Sequence, residues 1–325
     1  MSVGAAACRG PLEWNGPSHR VKAYYSDRFV LPLPDGHRFP MAKYARLRER
    51  VLGDGVLAPG DLHEADPASW DDLATAHDPA YLDAVARGTL SRDAIRRIGF
   101  PWSPEMVERS RRSVGATIAA ARSARIEGTA ANLAGGTHHA FRDRGEGYCV
   151  FNDVAVAARV LLRDGLVARV AVVDCDVHQG NGTAAIFHDE PAVFTCSLHG
   201  EKNFPFRKEQ SDLDVTLPDG TQDEAYLDAL ERALDVVFER ARPDFVFYTA
   251  GADAYAGDRL GRLALTVEGL RERDARVFAR GAAAGVPVAV AMGGGYADDV
   301  EAIVTIHANT VREAARAASR PAPSR

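Results

Sequence analysis

The sequence predicts an α/β fold, in which one domain of three layers (αβα) contains a mainly parallel central sheet between two layers of helices. Short, nearly continuous apolar runs alternate with longer amphipathic segments along the chain. Cap residues precede several of the amphipathic segments, and no internal repeat interrupts the alternation. Strands that are buried on both faces, as in a parallel sheet covered by helices, have this composition.

Six apolar runs have the length and composition of buried strands. Val, Ala and Phe make several of them almost continuously apolar. The predicted strands are residues 21–25, 130–133, 169–174, 192–198, 244–250 and 286–292. Polar or glycine-rich sequence follows the third, fifth and sixth strands, and the ends of parallel strands are where such folds place their sites.

Four predicted helices begin with recognisable capping residues. Asp78 and Ser103 each precede a proline, which suits the N-cap and the first helical position. Thr221 and Glu224 have the spacing of a capping box. Thr266 predicts a further helix start.

The predicted domain spans residues 21–317. A length of 325 residues alone suggests about two domains, but one site that draws on most of the chain favours a single one. Residues 1–20 and 318–325 are rich in Gly, Ala, Pro or Ser without periodicity, so we expect flexible termini.

Composition and charge argue against several classes of protein. A net charge of -6 without a basic stripe disfavours nucleic-acid binding. No apolar run approaches the roughly 18 residues of a membrane span, and no signal-peptide pattern opens the chain. Cys8, Cys149, Cys175 and Cys196 form no CxxC pair, which indicates free thiols and a cytoplasmic location. Composition does not predict the oligomeric state.

A candidate metal site follows two of the predicted strands. Asp174, Asp176 and His178 alternate along an extended segment, so they can share one face. Asp253 ends another strand and adds a carboxylate. Asp176, His178 and Asp253 would leave an open coordination position, as in catalytic zinc sites. Zn²⁺ is therefore the expected ion, with Fe²⁺ as the alternative.

Two further motifs suit acid–base chemistry. His138 and His139 are adjacent after a glycine-rich turn, and imidazoles transfer protons near neutral pH. Tyr296 follows three glycines, and its hydroxyl could donate to an oxyanion. The sequence contains no dinucleotide-binding G-x-G-x-x-G, no P-loop and no G-x-S-x-G elbow, which argues against nucleotide binding and serine-hydrolase chemistry.

Together these segments resemble the histone deacetylase superfamily, which has the arginase/deacetylase fold. The resemblance covers the chain from about Tyr24 to Thr310. Residues 178–182 and 257–261 look like the class IV members, and bacterial-type zinc-dependent deacylases are relatives. The matching stretches are residues 135–139, 147–153, 173–183, 195–199, 251–253 and 293–296.

The resemblance implies a role for each matched residue. Asp176, His178 and Asp253 would hold zinc. His139 would be the general base and acid, with His138 as its electrostatic partner and Asp174 orienting His138. Tyr296 would polarise the scissile carbonyl. Asn181 stands where class I enzymes have an aspartate. An amide cannot supply the charge that stabilises an imidazolium, so we expect a lower pKa for His139 than in class I.

Two less specific sets of residues also follow from the resemblance. The expected substrate tunnel comprises Gly147, Tyr148, Phe204, Leu260 and Gly294. A monovalent cation site, suited to K⁺, would comprise Asp174, Asp176, His178, Ser197 and Leu198. The rim aspartate with which class I enzymes grip the substrate backbone has no counterpart near residues 99–103.

The expected function is zinc-dependent hydrolysis of a linear amide, removing an acetyl or other acyl group from an acylated lysine side chain. Three alternatives stay open. A small acylated amine such as acetylpolyamine would be favoured by a narrow, acid-lined mouth. Arginase-like chemistry needs a second metal, yet Gln179 and Gly180 follow His178 without an added aspartate. A catalytically silent binding module would lack a ligand, a histidine or the tyrosine.

Overall fold

The central sheet has eight strands in the order β2-β1-β3-β8-β7-β4-β5-β6, and every neighbouring pair is parallel. The computed structural model describes residues 21–34 and 36–318. The strands are β1 Lys22–Tyr25, β2 Leu62–Glu64, β3 Thr129–Asn132, β4 Val170–Asp174, β5 Val193–Gly200, β6 Leu213–Leu217, β7 Phe245–Ala250 and β8 Val288–Met292. The predicted α/β class is confirmed, and the sheet is parallel throughout.

All six predicted strands are present, with bounds within two residues of the prediction. The two strands that the sequence did not predict, β2 and β6, lie at the two edges of the sheet. Four of the five residues of β6 are partly or fully exposed, and all three residues of β2 are. Edge strands lack the continuous apolar run that marks a buried strand, so composition does not reveal them.

Helices cover both faces of the sheet. In the described residues they are α1 Lys43–Gly53, α2 Trp70–Leu73, α3 Pro79–Arg87, α4 Arg92–Ile98, α5 Pro104–Glu127, α6 Asp153–Arg163, α7 Asn181–Phe187, α8 Asp223–Ala241, α9 Val267–Ala284 and α10 Val300–Ala318, with a short 3-10 turn at Pro59–Asp61. None of them, within residues 21–34 and 36–318, is long and apolar enough to cross a membrane.

Three of the four predicted helix starts are confirmed by their capping hydrogen bonds. The side chain of Asp78 accepts from the N–H of Ala80 at the start of α3, and Ser103 caps α5 in the same way. Thr266 caps α9.

The predicted capping box at Thr221 is wrong. Helix α8 has Gln222 at its N-cap position, without a side-chain cap. The hydroxyl of Thr221 donates instead to the carbonyl of Pro218, 2.7 Å away, and closes the preceding turn. A nearby acceptor in the turn therefore outcompetes the helix for this hydroxyl.

The core is divided by the sheet into two halves. Ala171 and Val173 of β4 pack on one face with α1, α8, α9 and α10. Val170 and Val172 pack on the other face with α3, α5 and α6. Because successive side chains of a strand point to opposite faces, this division produces the predicted three layers.

The order of the strands determines where the site lies. Strands β8, β7 and β4 are adjacent, with β3 beside β8 and β5 beside β4. The polar segments that follow these strands therefore meet at one edge of the sheet, where parallel α/β folds form their ligand crevices. The boundaries of the predicted domain stay a prediction, because residues 1–20 and 319–325 lie outside the described part of the chain.

Candidate active site

A buried group of two carboxylates and one imidazole lies beyond the ends of β4 and β7. Asp176, His178 and Asp253 each offer one ligand atom, and these atoms lie within 4.8 Å of one another. Nδ1 of His178 is 3.0 Å from Oδ1 of Asp176 and 3.1 Å from Oδ2 of Asp253. Among the described residues this is the group suited to hold a metal ion, and it has the donor set of a catalytic zinc site.

Electrostatics in this group favour a bound cation. Burial opposes charge on His178, but hydrogen bonds from its ring to Asp176 and Asp253 outweigh burial and raise its pKa to about 10. Burial and the charge of Asp176 raise the pKa of Asp253 to about 7. The metal-free site thus retains a proton between the two carboxylates, at the position where a divalent ion would satisfy all three donors.

The remaining carboxylate oxygens are fixed by backbone amides. Oδ2 of Asp176 accepts from the N–H of Gly294 at 2.6 Å, and Oδ1 of Asp253 accepts from the N–H of Val177 at 3.0 Å. The buried guanidinium of Arg273 donates to the carbonyls of Cys175 and Gly251, one residue before Asp176 and two residues before Asp253. Such outer contacts orient the side chains of a metal site.

His138 forms a buried pair with Asp174. Its Nδ1 donates to Oδ2 of Asp174 over 2.6 Å. Burial disfavours charge on the ring, but the charges of Asp174 and Asp176 prevail and raise the pKa of His138 to about 9. His138 therefore carries a proton at neutral pH beside the ring of His139, whose centroid is 4.1 Å away.

His139 has the opposite electrostatic character. Burial and the charges of His138 and His178 hold its pKa well below the usual range. Its Nδ1 donates to Oδ1 of Asn181 at 2.7 Å, so Nε2 is left as the unprotonated nitrogen. The hydrogen bond to Asn181 itself acts to raise the pKa of His139, and a lower pKa than in class I enzymes stays a prediction. The amide nitrogen of Asn181 donates in turn to Oε1 of Glu146, also at 2.7 Å.

The histidine pair is held in place by the start of α6. Asp153 accepts from the N–H groups of Gly136 and Thr137, and from the hydroxyl of Thr137. The amide of Asn152 donates to the carbonyl of Ala140. The loop of 135–140 is therefore fixed at both ends of the histidine pair.

Tyr296 is buried beside the metal-binding group. Burial and the charges of Asp253 and Asp176 raise its pKa well above the usual range, so the phenol keeps its proton. The N–H of Tyr296 donates to Oδ2 of Asp258, and its carbonyl accepts from Nε of Arg259. The segment of 257–261, which the sequence marked by its resemblance to class IV, thus holds the tyrosine backbone.

A cavity of ≈ 690 Å³ opens from these groups to the surface. Of the five predicted tunnel residues, four line it: Gly147, Tyr148, Phe204 and Leu260. His139, His178 and Tyr296 line its inner part. Phe204 contacts the ring of His139 edge to face, with the centroids 4.9 Å apart.

Gly294 does not line this cavity but, with Gly147, Tyr148 and Tyr296, lines a smaller one of ≈ 30 Å³, and its place in the tunnel stays a prediction. A Cβ at this position would lie 1.8 Å from Oδ2 of Asp253, so the glycine packs directly against the carboxylates. Three glycines in a row let the backbone approach the two carboxylates closely. Gly294 therefore packs against the metal-binding group, whereas Tyr296 lines the cavity.

The mouth of the cavity is basic. Its cationic lining residues are Arg96, Arg97, Lys202, Arg259 and Arg262, and Glu146 is the single acid among the lining residues. Four of these cations have acidic partners: Arg96 pairs with Asp93, Arg259 with Asp298, and both Lys202 and Arg262 with Asp219. The exposed side chain of Arg97 makes no ion pair with any residue in 21–34 or 36–318. The mouth is therefore not lined by acids, as a preference for a polyamine would require.

The predicted cation site lies at the junction of β4 and β5. Asp174 and Ser197 are opposite each other in the ladder, and Leu198 follows on the same strand. The hydroxyl of Ser197 is 3.0 Å from Nδ1 of the buried His199. The grouping of these residues with Asp176 and His178 around a K⁺ ion stays a prediction.

Besides Arg273, two polar residues near the site were not predicted from the sequence. The buried Nζ of Lys43 lies 3.4 Å from the carbonyl of Gly293 and 3.5 Å from that of Gly295. Glu146 reaches Asn181 from the loop before Gly147. Glu146 directly precedes the matched stretch 147–153, so the sequence offered a signal for it. Lys43 lies in an ordinary amphipathic helix, and no motif around it indicated a role at the site.

Comparison with known proteins agrees with this geometry. The family model described as "Histone deacetylase domain" matches residues 37–311. An uncharacterized protein of Picosynechococcus is 46% identical over 87% of this chain and 94% of its own length. The histone deacetylase-like amidohydrolase of Pseudomonas aeruginosa is 33% identical over 82% of this chain and 74% of its own.

A solved histone deacetylase homologue from Aquifex aeolicus superposes with a TM-score of 0.78 at 25% identity, covering 91% of this chain and 84% of the homologue. Sequence and architecture thus agree over nearly all of the described residues. The chain belongs to the histone deacetylase family and is a hydrolytic enzyme of the deacetylase/amidohydrolase type.

Proposed function

We propose that the enzyme removes an acetyl or longer acyl group from the side-chain amine of lysine, with zinc held by Asp176, His178 and Asp253. The observation that carries the proposal is the convergence of these ligands, the unprotonated Nε2 of His139 and the protonated hydroxyl of Tyr296 at the inner end of one cavity. Fe²⁺ is the alternative ion for the same donors.

His139 is the proposed general base and acid. Its lowered pKa leaves Nε2 free to accept a proton from the attacking water at neutral pH. The nearby positive charge of His138 disfavours a second positive charge on His139, so the proton passes readily to the leaving amine. Zinc bound by the three ligands would supply a Lewis acid and a water of lowered pKa.

Tyr296 is the proposed donor to the oxyanion that develops when water adds to the amide carbonyl. Its raised pKa keeps the phenol protonated. Its backbone is held by Asp258 and Arg259, and its ring packs against the rings of Phe39, Tyr148 and His178, so the side chain is positioned before the substrate arrives. A donor that is fixed in this way stabilises the transition state without reorganisation.

The charge of the mouth favours an acylated lysine over an acetylated polyamine. A polyamine carries further ammonium groups, which would lie beside the unpaired Arg97 and the ion-paired cations of the lining. Like charges at a narrow opening reduce both the encounter rate and the affinity. The aromatic side chains of Tyr148 and Phe204 suit the apolar stem of a lysine instead.

Turnover of matched substrates tests the proposal. Zinc-loaded enzyme would be given acetyl-lysine and longer acyl-lysine peptides and, in parallel, an acetylated polyamine, with release of the carboxylate measured. We expect peptide hydrolysis with a higher kcat/KM than for the polyamine. His139→Ala should abolish the activity, whereas Asp189→Asn, at an exposed position, should not change it.

A higher kcat/KM for the polyamine would overturn the choice of substrate but not the chemistry. No hydrolysis of any of these amides by fully loaded enzyme would refute the proposed function and favour a silent binding module. Loading with two metal ions per chain would favour arginase-like chemistry.

A further inference from the structure

Asn181 forms a bridge between His139 and a carboxylate that lies outside the set of matched motif residues. Its amide oxygen accepts from Nδ1 of His139 at 2.7 Å, and its amide nitrogen donates to Oε1 of Glu146 at 2.7 Å. Asn181 is buried, with an exposed fraction of 2%. Both ends of the amide are therefore used, and its orientation is defined by its two partners.

We propose that Glu146 is a positioning residue for the general base: it fixes the orientation of the Asn181 amide and, through it, the tautomer of His139. This proposal rests on the proposed hydrolysis of an acyl-amine. A carboxylate accepts hydrogen bonds and cannot donate them, so Glu146 selects the NH₂ end of the amide. The oxygen end must then face His139, which places the proton on Nδ1 and leaves Nε2 free.

The same chain of contacts supplies negative charge that the amide lacks. In a hydrogen-bonded series each donor is polarised by the acceptor beyond it. When His139 takes up a proton, the carboxylate of Glu146 stabilises the imidazolium across one intervening amide. The expectation that asparagine deprives the histidine of a charged partner is therefore incomplete, since the charge lies one residue farther out.

The contacts of Glu146 support a role in positioning Asn181 rather than in ion pairing with the arginines at the mouth of the cavity. The residue lines the same cavity as Arg96 and Arg97, yet it forms no ion pair with them or with any other described residue. Its side chain points to a buried amide instead. A neighbouring acid on the same loop, Asp143, is exposed and forms its hydrogen bond and ion pair with Arg144, so it serves as a matched control.

A double-mutant cycle tests the proposal with an acetyl-lysine peptide. In Glu146→Ala the amide of Asn181 is free to rotate, and we expect kcat to fall about 10–100-fold, as for other outer contacts that orient a reacting group. Glu146→Gln keeps the acceptor without the charge and should lose less. In the Glu146→Ala background, Asn181→Asp places a carboxylate directly on Nδ1 of His139 and should restore kcat at least tenfold.

The tautomer of His139 provides a readout that does not depend on activity. In enzyme labelled with ¹⁵N-histidine, we expect the Nδ1–H form in the wild type and a mixture of tautomers in Glu146→Ala. Asp143→Ala should resemble the wild type in both measurements.

Several outcomes would overturn the proposal while the wild type stays active. These are an unchanged kcat in Glu146→Ala, a loss that Asn181→Asp does not restore, an unchanged tautomer, or an equal loss in Asp143→Ala. An inactive wild type would instead mean that the proposed function itself is wrong.

Discussion

Gly147 lies against the ring of His139 so closely that a Cβ on the glycine would be 2.6 Å from Cδ2 of the histidine. The backbone of Gly147 also has a φ of +58°, in the left-handed region that glycine adopts at little cost. This glycine therefore serves two purposes, since it makes the turn and leaves room for the general base.

Gly147→Ala should lower kcat at least tenfold, because the methyl group must displace His139, and a displacement of about 1 Å can cost 10²-fold in rate. Gly165→Ala is the matched control: its φ is +63°, and nothing lies within 4 Å of the added Cβ. Both variants have the same backbone strain, so equal activities would contradict the steric explanation.

Tyr296→Phe should reduce kcat about 10²–10³-fold with little change in KM, because the lost hydroxyl acts on the oxyanion in the transition state. Steady-state kinetics with an acyl-lysine peptide would measure the loss. Tyr255→Phe, a tyrosine outside the lining of the cavity, should retain full activity. A purely structural effect would instead appear as a lower stability of Tyr296→Phe without a selective loss of kcat.

Metal binding should stabilise the fold through Asp253. At a free concentration of 100 Kd, an ion that binds only the native state adds about 2.7 kcal/mol, which corresponds to a rise in Tm of roughly 4 °C for a chain of this length. Asp253→Asn should abolish this rise. Its metal-free stability should also fall, because an amide has one acceptor oxygen and cannot accept from both Val177 and His178, so the effect of zinc is compared within each variant.

Thermal unfolding with zinc and with a chelator would test this prediction. Asp189→Asn is the control, since Asp189 is exposed, and it should show the full rise in Tm. A zinc-dependent rise that persists in Asp253→Asn would place the ion elsewhere.

Arg97→Glu should shift the balance of substrates. The side chain of Arg97 is exposed at the mouth of the cavity without an ion pair to any described residue, so reversing its charge should favour a cationic substrate. We expect the ratio of kcat/KM for an acetylpolyamine to that for an acetyl-lysine peptide to rise about tenfold at low salt and less at high salt.

Arg125→Glu serves as the control for that experiment. Arg125 is exposed near the end of α5, just before β3 begins, and so lies at the edge of the sheet opposite to the site. A similar change of the ratio in both variants would show that net charge, rather than the mouth, determines the preference.

The sequence predicted the central strands and the residues at their ends because both depend on local patterns. Continuous apolar runs such as 244–250 reveal a strand that is buried on both faces, and a parallel sheet places the ends of such strands together. The edge strands β2 and β6 escaped prediction because they are partly exposed and so lack a continuous apolar run. The N-terminus of α8 was misassigned because a turn acceptor competes for Thr221.

Contacts between distant parts of the chain could not be predicted from local sequence patterns. Glu146 and Asn181 are 35 residues apart, and their contact depends on the path of the loop before Gly147. The basic mouth combines side chains from three separate segments, at Arg96 and Arg97, at Lys202, and at Arg259 and Arg262. Each segment is unremarkable alone, so the charge of the mouth emerges only in the fold.

His77 should make the stability of the enzyme sensitive to acid. Its Nδ1 donates to the carbonyl of Phe141 and its Nε2 accepts from the N–H of Asn152, so the folded protein needs the neutral ring. Burial lowers its pKa to about 4 from 6.5. Below pH 6.5, His77 is protonated in the unfolded chain but stays neutral in the folded protein until the pH approaches about 4. The contribution of His77 to the free energy of unfolding therefore decreases as the pH falls from 6.5 towards about 4.

Between pH 7 and pH 5 the resulting loss is about 2 kcal/mol for this one group. Urea unfolding of the wild type and of His77→Gln at both pH values would measure it. The variant should be less stable at pH 7, since it loses one or both hydrogen bonds, but its stability should decrease about 2 kcal/mol less on acidification. His188→Gln, at an exposed position, should follow the wild type, and an identical pH dependence in His77→Gln would assign the acid sensitivity to other buried groups.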